Sequence, residues 1–149
     1  MTTLSLFSVL VILATWPDPV AGTANMSCGR LPPCPDKPNC VSSQSAVRTH
    51  AIEPLQYEGT KEKAWCALVE AVASSKRARI VTDDGDHLHA EFTSAVFRFV
   101  DDVDFLCDRE RKVIHVRSAS RIGWSDLGVN RRRVEDLRIR FQQILKRGE

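Results

Sequence analysis

The sequence lacks the short motifs that mark the commonest metal and catalytic sites. It has no C-x-x-C knuckle, which a structural zinc site normally uses in two pairs. It has no G-x-S-x-G elbow, which positions the nucleophile of many hydrolases. None of its five cysteines has a histidine and a third orienting group close by in the sequence, as a catalytic thiol needs. We therefore expect no cofactor, and we favour a non-catalytic protein over an enzyme.

The chain also lacks a large excess of charge of one sign. Its formal net charge is +2 over 149 residues, but the charges are segregated along the sequence. Residues 81–110 hold nine Asp or Glu and two Arg, whereas residues 111–149 hold eleven Lys or Arg and four acids. Opposed blocks more often neutralise each other across a fold than bind nucleic acid, because nucleic-acid binders usually carry unbalanced basic charge. We expect no nucleic-acid partner.

No apolar run is long enough to span a bilayer comfortably as a helix, which takes about 20 residues. The nearest candidate, Leu4 to Trp16, suits the core of a signal peptide better, and small residues that favour cleavage follow it up to Ala24. We expect residues 1–24 to be a signal-peptide-like segment, so that the protein is exported to the periplasm or the cell exterior with no stable membrane span after processing. The alternatives are an uncleaved N-terminal membrane anchor and a true start at Met26.

Cysteine usage fits an oxidising compartment. Cys34 and Cys40 lie in PPCPDKPNC, a proline-stiffened stretch with five residues between them, and such a loop can close on a disulfide bridge. We predict that bridge, and we assign residues 25–41 to a Pro- and Cys-rich N-terminal loop. Residues 42–149 are predicted to form a single α+β domain.

The middle third of the chain alternates apolar and polar residues with period two, which predicts strands. The pair Asp84-Gly85 predicts a hairpin, because glycine adopts a positive φ without steric cost. Helical spacing follows Thr60 and again follows Asn130, and both residues are suitable N-caps. We predict an antiparallel sheet of four or five strands with two helices packed on one face. Asp101 interrupts the inward-facing series of its strand and predicts a bulge.

Aromatic residues are few, at 7% of the chain. Phe97 and Phe99 belong to an alternating pattern that predicts inward-facing strand residues, and Trp65 is predicted to be core. Trp124 lies beside Gly123 in a loop. We expect it to pin that loop to the core, and the alternative is stacking on a ligand or an arginine.

The segment between the last strand and the final helix is rich in hydrogen-bonding groups. Arginine offers a planar fork for carboxylate or phosphate, serine hydroxyls complete such a shell, and a helix N-terminus adds backbone donors. We predict a site for a small anionic ligand or a partner protein, formed by Arg117, Ser118, Ser120, Arg121, Asp126, Asn130 and Arg131. The competing interpretation is an internal network of ion pairs and caps, in which aspartates of the chain satisfy the arginines.

The polar face of the predicted sheet suggests a different class of function. His87 and His89 project to one side of a strand, and His115 with nearby carboxylates would suit zinc if it faced the same way. The simpler interpretation is a wet sheet face on which polar residues alternate with core residues. We keep as alternatives a metal-dependent or other hydrolase, with His89 and His115 as candidate ligands, and a purely structural accessory protein. A serine hydrolase is disfavoured because Ser118 and His115 face opposite sides of one strand.

Five blocks of the sequence, in order, resemble the signature blocks of one known family. They are CPDKPNCVSSQ, HAIEPL, TDDGDHLHAEFTS, FRFVDDVDF and VIHVRSASRIGWSDLGVNRRRVEDLR. The family is catalogued as domain of unknown function 1499, and the resemblance covers about residues 34–143. It implies a soluble single domain, often exported or lumenal, and it implies no particular reaction. The family usually has an aromatic residue where this chain has His87, which argues against His87 as a general metal ligand.

Overall fold

A computed structural model of the chain describes residues 29–95 and 97–148. The predicted signal-peptide-like segment, residues 1–24, lies outside these ranges. The elements along the chain are β1 (Cys40–Ser42), β2 (Leu55–Gln56), α1 (Lys61–Ala73), β3 (Ala78–Asp83), β4 (His87–Thr93), β5 (Val100–Asp108), β6 (Val113–Ser120) and α2 (Val129–Arg147). The predicted α+β class is confirmed. Neither helix of the described part is long and apolar enough to cross a membrane.

All strands join one antiparallel sheet. Its order is β1-β6-β5-β4-β3, and β2 also pairs with β6. The sheet has six strands rather than four or five because two short segments share β6: β1 pairs with its second half and β2 with its first half. Cys40 and Val41, which the sequence assigned to the N-terminal loop, therefore belong to the sheet.

Both helices pack on one face of the sheet, as the sequence predicts. In β4 the burial alternates strictly, so that Leu88, Ala90 and Phe92 are buried and the residues between them are partly exposed. The helices cover these residues with apolar stripes at helical spacing. The largest fully buried apolar side chains of the core are Phe105, Phe141, Leu55, Leu68, Leu88, Ile114, Leu137 and Val72.

Two local predictions are confirmed by the backbone. Gly85 has a φ of +87° in the turn between β3 and β4, where the sequence predicted a hairpin. Cys34 and Cys40 form a disulfide with a Cα–Cα distance of 5.7 Å. The bridge joins the proline-rich loop to the first residue of β1.

The two helix starts differ in how well the sequence predicted them. Thr60 caps α1 through its side chain, as predicted. Asn130 is not the N-cap of α2, because the helix begins at Val129 and Gly128 occupies the cap position with a φ of +76°. The capping acceptor is Asp126, whose carboxylate accepts the N–H groups of Gly128 at 2.9 Å and Asn130 at 2.7 Å. Asn130 lies in the first turn, where it is fully buried.

The start of β5 also departs from the prediction. Asp101 causes no bulge, because it pairs in regular register with both neighbouring strands and is 5% exposed. The irregularity lies in β3, between Ile80 and Thr82. Phe97 and Phe99 precede the strand and are 73% and 45% exposed, so they do not face the core. Asp101 can face inward because the largely buried guanidinium of Arg133 neutralises it.

The core predicts a large effect of one substitution. Phe105 has no exposed area, so Phe105→Ala should lower the free energy of unfolding by about 3–5 kcal/mol through lost burial and the cavity left behind. Urea denaturation followed by circular dichroism measures this change. Phe97→Ala is the matched control, because its ring is 73% exposed and its loss should change the free energy by less than about 0.5 kcal/mol. Equal effects of the two substitutions would contradict the described packing.

Candidate functional site

The predicted ligand-binding residues of β6, together with Arg121 directly after it, lie on both faces of the sheet. Successive side chains of a strand point to opposite faces. Arg117 and Arg121 bond to carboxylates on the face away from the helices, which we call the outer face. Ser118 and Ser120 point towards α2, where both bond to Asn130. These residues therefore do not surround one cavity.

The helix-facing residues form a buried hydrogen-bond network. Ser118 Oγ donates to Asn130 Oδ1 at 2.6 Å. Asn130 Nδ2 donates to Ser120 Oγ and to the backbone oxygen of Asn39, both at 3.0 Å. Neither Ser118 nor Asn130 has exposed area. The network ties β1 and β6 to the first turn of α2, and its side chains bond to one another rather than to solvent.

Arg133 completes this network, although the sequence did not single it out. Its guanidinium donates to Asn130 Oδ1 at 2.7 Å, to Ser118 Oγ at 3.1 Å and to the carboxylate of Asp101. It also lies 5.0 Å from the centre of the Phe92 ring. The two charged side chains are only 11% and 6% exposed. Two signals pointed to this pair: the period of β5 directs Asp101 inward, and Arg133 lies one turn after a helix start.

The other two predicted residues bond to the backbone. Asp126 accepts two N–H groups at the start of α2, as described above. Arg131 donates to the carbonyl oxygens of Thr49 at 3.1 Å and Ala51 at 2.9 Å. Arg131 thereby joins α2 to the segment that precedes β2.

The outer face carries a chain of alternating charges. Arg121 donates to Asp102 at 2.7 and 2.9 Å and to Glu91 at 2.6 Å, and Arg79 donates to Glu91 at 2.7 Å. His89 continues the chain, because its Nε2 lies 3.4 Å from Asp102. Each carboxylate thus lies between two cationic or ionisable groups.

Beyond His89 the chain reaches a second aspartate. His89 Nδ1 lies 2.9 Å from Asp104, and Arg117 lies 3.8 Å from the other oxygen of the same carboxylate. Arg117 Nε is buried without a hydrogen-bond partner among the described residues. His87 Nε2 lies 3.5 Å from Asp104 but makes no hydrogen bond there.

This arrangement favours the charged forms of its members. Hydrogen bonds to Asp102 and then to Asp104 raise the pKa of His89 to about 9. Burial alone would raise the pKa of Asp104, but its contacts with His87 and His89 outweigh it and lower that pKa to about 2. The same balance, with Arg121 as a partner, lowers the pKa of Asp102. His89 is therefore a cation at neutral pH.

Three residues of the outer face have the spacing of a metal site. One atom each of His89, Glu91 and Asp102 lie within 4.8 Å of one another. The guanidinium of Arg121 already bonds to both carboxylates, and His89 holds a proton between two aspartates. A divalent cation would have to displace the arginine and remove that proton before it could bind. The donor set fits an ion-pair network better than a metal centre.

His115 does not join His89. It lies on β6, two strand spacings or about 10 Å across the sheet from β4. Its Nδ1 lies 3.2 Å from Ser43 Oγ, its Nε2 lies 3.7 Å from Asp108, and burial lowers its pKa. Ser118 points to the opposite face of the same strand. Ser118 and His115 therefore do not come together as the nucleophile and base of a hydrolase, and the serine and aspartate beside His115 are Ser43 and Asp108.

A cavity of about 440 Å³ lies between α2 and the segments that flank β3 and β4. The charged residues that line it are Lys76, Arg77, Arg132, Arg133, Asp136 and Arg140. Asp101 neutralises Arg133, but the other four cations form no salt bridge with a carboxylate of residues 29–95 or 97–148. Arg77 and Arg132 donate to the backbone oxygens of Thr93 at 3.1 Å and Leu127 at 3.0 Å. We call this cavity the basic cleft.

The basic cleft was not predicted from the sequence. Lys76 and Arg77 lie in the turn after α1, about 55 residues before the arginines of α2, and only tertiary packing brings the two segments together. The sequence signal was limited to the run of arginines at 131–133. Helical spacing shows that such a run cannot point in one direction, because successive residues are about 100° apart.

A larger cavity of about 940 Å³ lies at the other end of the molecule, between the two helices and β2. It is lined by charges of both signs, including Glu70 and Lys146. Burial, together with a contact to Cys107, raises the pKa of Tyr57 at its edge to about 12. Its mixed charge indicates no particular ligand.

Trp124 does not pin its loop to the core, contrary to the prediction, because its side chain is 68% exposed. The loop is held through its backbone instead. Asn39 Nδ2 donates to the oxygen of Gly123 at 2.9 Å, and the N–H of Asp126 donates to the oxygen of Pro38 at 3.4 Å. The indole ring is left on the surface.

The fold and the site define a small antiparallel α+β domain with a basic cleft beside its closing helix. The family model described as "Protein of unknown function (DUF1499)" matches residues 30–141, so the chain belongs to this family, as the sequence blocks predicted. No curated protein matches the chain, and no solved structure matches it.

The buried ion pair predicts a large cost when one partner is neutralised. Asp101→Asn leaves Arg133 with no carboxylate in a nearly closed site, so the free energy of unfolding should fall by about 3–5 kcal/mol. Chemical denaturation measures the change. The matched control is Glu70→Gln, whose side chain is 58% exposed and whose partner Arg147 is 69% exposed, and its cost should be about 1 kcal/mol or less. A smaller loss for Asp101→Asn than for this control would refute the role given to the pair.

His89 and His115 should titrate on opposite sides of pH 6.5. The pKa of His89 is raised, so its contribution to stability is complete below about 6.5 and is lost as the pH rises through about 9. The unfolding free energy of wild type should therefore exceed that of His89→Gln most at pH 6, and the gap should narrow as the pH rises from about 6.5 to 9. Burial lowers the pKa of His115, which supplies an internal control. Nuclear magnetic resonance titration of both rings checks the order, and a pKa of His89 at or below that of His115 would contradict it.

Proposed function

We propose that the protein is a non-catalytic module that binds a small anionic ligand in the basic cleft. The observation that carries this proposal is the surplus of positive charge in the cleft. Four cations, Lys76, Arg77, Arg132 and Arg140, line it without a salt bridge to a carboxylate of the described residues, and one acid, Asp136, lies among them. A concave surface lined by charge of one sign raises the local concentration of counter-ions and orients their approach.

The proposed ligand site is the basic cleft, which lies next to the residues predicted from the sequence. Arg117 and Arg121 already face carboxylates, and Ser118 with Asn130 is bonded internally, so an anion would have to break existing bonds to reach them. Arg133 links the two regions, because it belongs to the buried network and also lines the cleft. The network thus supports the wall of the cleft rather than forming the ligand site.

The chemistry of the cleft favours a ligand with several oxygen acceptors. Arginine side chains present planar pairs of N–H donors that match phosphate and carboxylate groups. Lys76 adds a compact charge at the opposite wall. A phosphate or a dicarboxylate fits this donor set better than an apolar or cationic molecule.

The alternative is a hydrolase on the His- and Asp-bearing outer face. The spacing of His89, Glu91 and Asp102 supports it, but the competing guanidinium of Arg121 counts against it. A purely structural accessory role has no particular observation in its favour. We further propose that the protein works outside the cytoplasm, which the disulfide between Cys34 and Cys40 supports because such bridges persist in oxidising compartments.

Anion binding should stabilise the native form. Inorganic phosphate should raise the melting temperature of the full chain in a saturable manner, since a ligand that binds only the folded state stabilises it by mass action. The double variant Arg132→Gln/Arg140→Gln should bind phosphate at least about tenfold more weakly, because two charge-assisted contacts are lost. Thermal shift measured against phosphate concentration checks both statements.

The matched control is Arg111→Gln/Arg147→Gln. These two side chains are 77% and 69% exposed, and their loss changes the net charge by the same amount outside the basic cleft. The control should keep the wild-type response. No response to phosphate in the wild type, or an equal loss in both double variants, would refute the specific site.

A further inference from the structure

One end of the molecule carries most of its exposed apolar side chains. Among the described residues, nine large hydrophobic side chains are exposed, and six of them lie in the loop before β5, in the loop that leads into α2 and at the first residue of that helix. These six are Phe97, Phe99, Ile122, Trp124, Leu127 and Val129, and we call them the apolar loop surface. Exposed apolar residues concentrated in this way mark an interaction site, whereas scattered ones need no explanation.

The two loops lie side by side. Because the sheet is antiparallel, the end of β4, the start of β5 and the end of β6 lie at the same edge of the sheet, and the N–H of Arg121 donates to the oxygen of Val100 at 3.3 Å. Val129 also lines the basic cleft together with Ser94 and Ala95. The apolar loop surface and the basic cleft are therefore continuous.

We propose that this end of the protein docks onto the surface of an anionic phospholipid bilayer. The apolar loop surface would insert among the headgroups, and the basic cleft would face their phosphates. The proposal rests in part on the anion-binding function proposed above, because the cations of the cleft supply much of the charge.

Charge complementarity favours an anionic partner. Arg98 is exposed between Phe97 and Phe99, and Arg77 and Arg132 border the loops from the cleft. The one carboxylate within the two loops, Asp126, and the next one along the chain after the first loop, Asp101, are not free to oppose them, and Asp136 is the one acid that lines the cleft. Asp126 accepts N–H groups of α2, and Asp101 bonds to Arg133. A basic rim around apolar side chains is the composition of a surface that binds anionic lipid headgroups.

The form of the surface favours a fluid partner over a folded one. Leu127 is 84% exposed and Trp124 is 68% exposed, so their side chains stand out from the loop instead of packing into a flat patch. Phe97 and Phe99 stack on each other at 5.5 Å and remain accessible. A protein interface needs packed, complementary shape at its centre, whereas lipid headgroups accept projecting side chains of any outline. Tryptophan is moreover enriched at membrane–water interfaces.

The backbone supports a role for the exposed leucine. Leu127 has a φ of +52° and Arg98 a φ of +54°, a region that side chains other than glycine rarely adopt. Because Leu127 is 84% exposed, burial of its side chain contributes little to offset the cost of this conformation in the free protein.

Trp124 provides a residue-specific test. Adding vesicles of phosphatidylcholine with phosphatidylglycerol to the full chain should shift tryptophan emission to shorter wavelength, and brominated lipid should quench it. Trp124→Phe should remove that part of the signal, while Trp65 is in the core at 7% exposure and stays silent. All proteins in this test carry Trp16→Phe, because Trp16 belongs to the apolar N-terminal segment and would itself respond to vesicles wherever that segment is retained. Since the readout reports on position 124 itself, attachment through another part of the chain cannot imitate it.

Substitutions of apolar and of basic residues separate the apolar and the electrostatic contributions to vesicle binding. Ile122→Ser/Leu127→Ser should raise the lipid concentration that gives half of the Trp124 response by about tenfold, because two exposed aliphatic groups are lost. Arg98→Gln should weaken it by about fivefold, and vesicles of phosphatidylcholine alone should give little response. The matched control is Ile139→Ser, whose side chain is 57% exposed and which does not belong to the apolar loop surface, and it should behave as wild type.

The outcomes distinguish this proposal from the anion-binding function. A Trp124 response to anionic vesicles that the loop variant loses and the control keeps supports docking. A phosphate-induced rise in melting temperature without any Trp124 response overturns docking and leaves the anion site standing. A vesicle response without any effect of phosphate supports docking and overturns the small-anion function. Concentration-dependent dimerisation that the loop variant abolishes, with no vesicle response, also overturns docking and assigns the surface to a second copy of the chain.

Discussion

The ion pair between Asp101 and Arg133 is the constraint on which this end of the fold depends. Both charges are removed from water, and that cost is recovered only when the two side chains meet and their remaining hydrogen-bonding groups are satisfied. Arg133 meets this condition through Asn130 and Ser118. A shift of β5 by one residue would turn Asp101 to the outer face and leave the arginine unpaired. The pair therefore fixes the register of β5 relative to α2, and with it the position of Arg132 on the adjacent side of the helix, beside the basic cleft.

The acidic and basic blocks of the sequence neutralise each other only in part of the fold. Basic residues of the last third reach the acidic strands at four places, where Arg111, Arg117, Arg121 and Arg133 each face an aspartate. Acids of the strand block are also bonded by partners from elsewhere, such as Lys61 on Asp86. The two blocks thus neutralise each other in part, as the composition predicts, but the acidic strands have no carboxylate left near the cleft. Arg132 and Arg140 are among the cations left without a carboxylate of the strands, and their location follows from which face of α2 packs on the sheet.

Periodicity was sufficient to predict the class of fold, because alternating burial in β4 and the apolar stripe of α2 each have one physical interpretation. The period of β5 also indicated that Asp101 faces inward. We predicted a bulge there instead, because an unpaired buried carboxylate would be too costly. The missing information was the partner, Arg133, since a run of three arginines does not reveal which one points inward until the start of the helix is known. The basic cleft was beyond the sequence for a different reason. Its two halves come from the turn after α1 and from α2, and no local pattern links Lys76 to Arg140.

The first turn of α2 places positive charge where the helix dipole disfavours it, by a few tenths of a kcal/mol up to about 1 for each exposed cation. The turn contains no acidic residue, and each of the three arginines obtains a different partner. Arg133 obtains a carboxylate and Arg131 obtains two carbonyl oxygens, so their cost is offset within the fold. Arg132 obtains one carbonyl oxygen and lies in the cleft beside other unpaired cations. Asp136 is the one acid among these cations, so negative charge from outside the chain would relieve the remaining repulsion, as the proposed anion or lipid headgroup would. A local arrangement that opposes stability in the free protein and favours it in the complex is what a binding site requires.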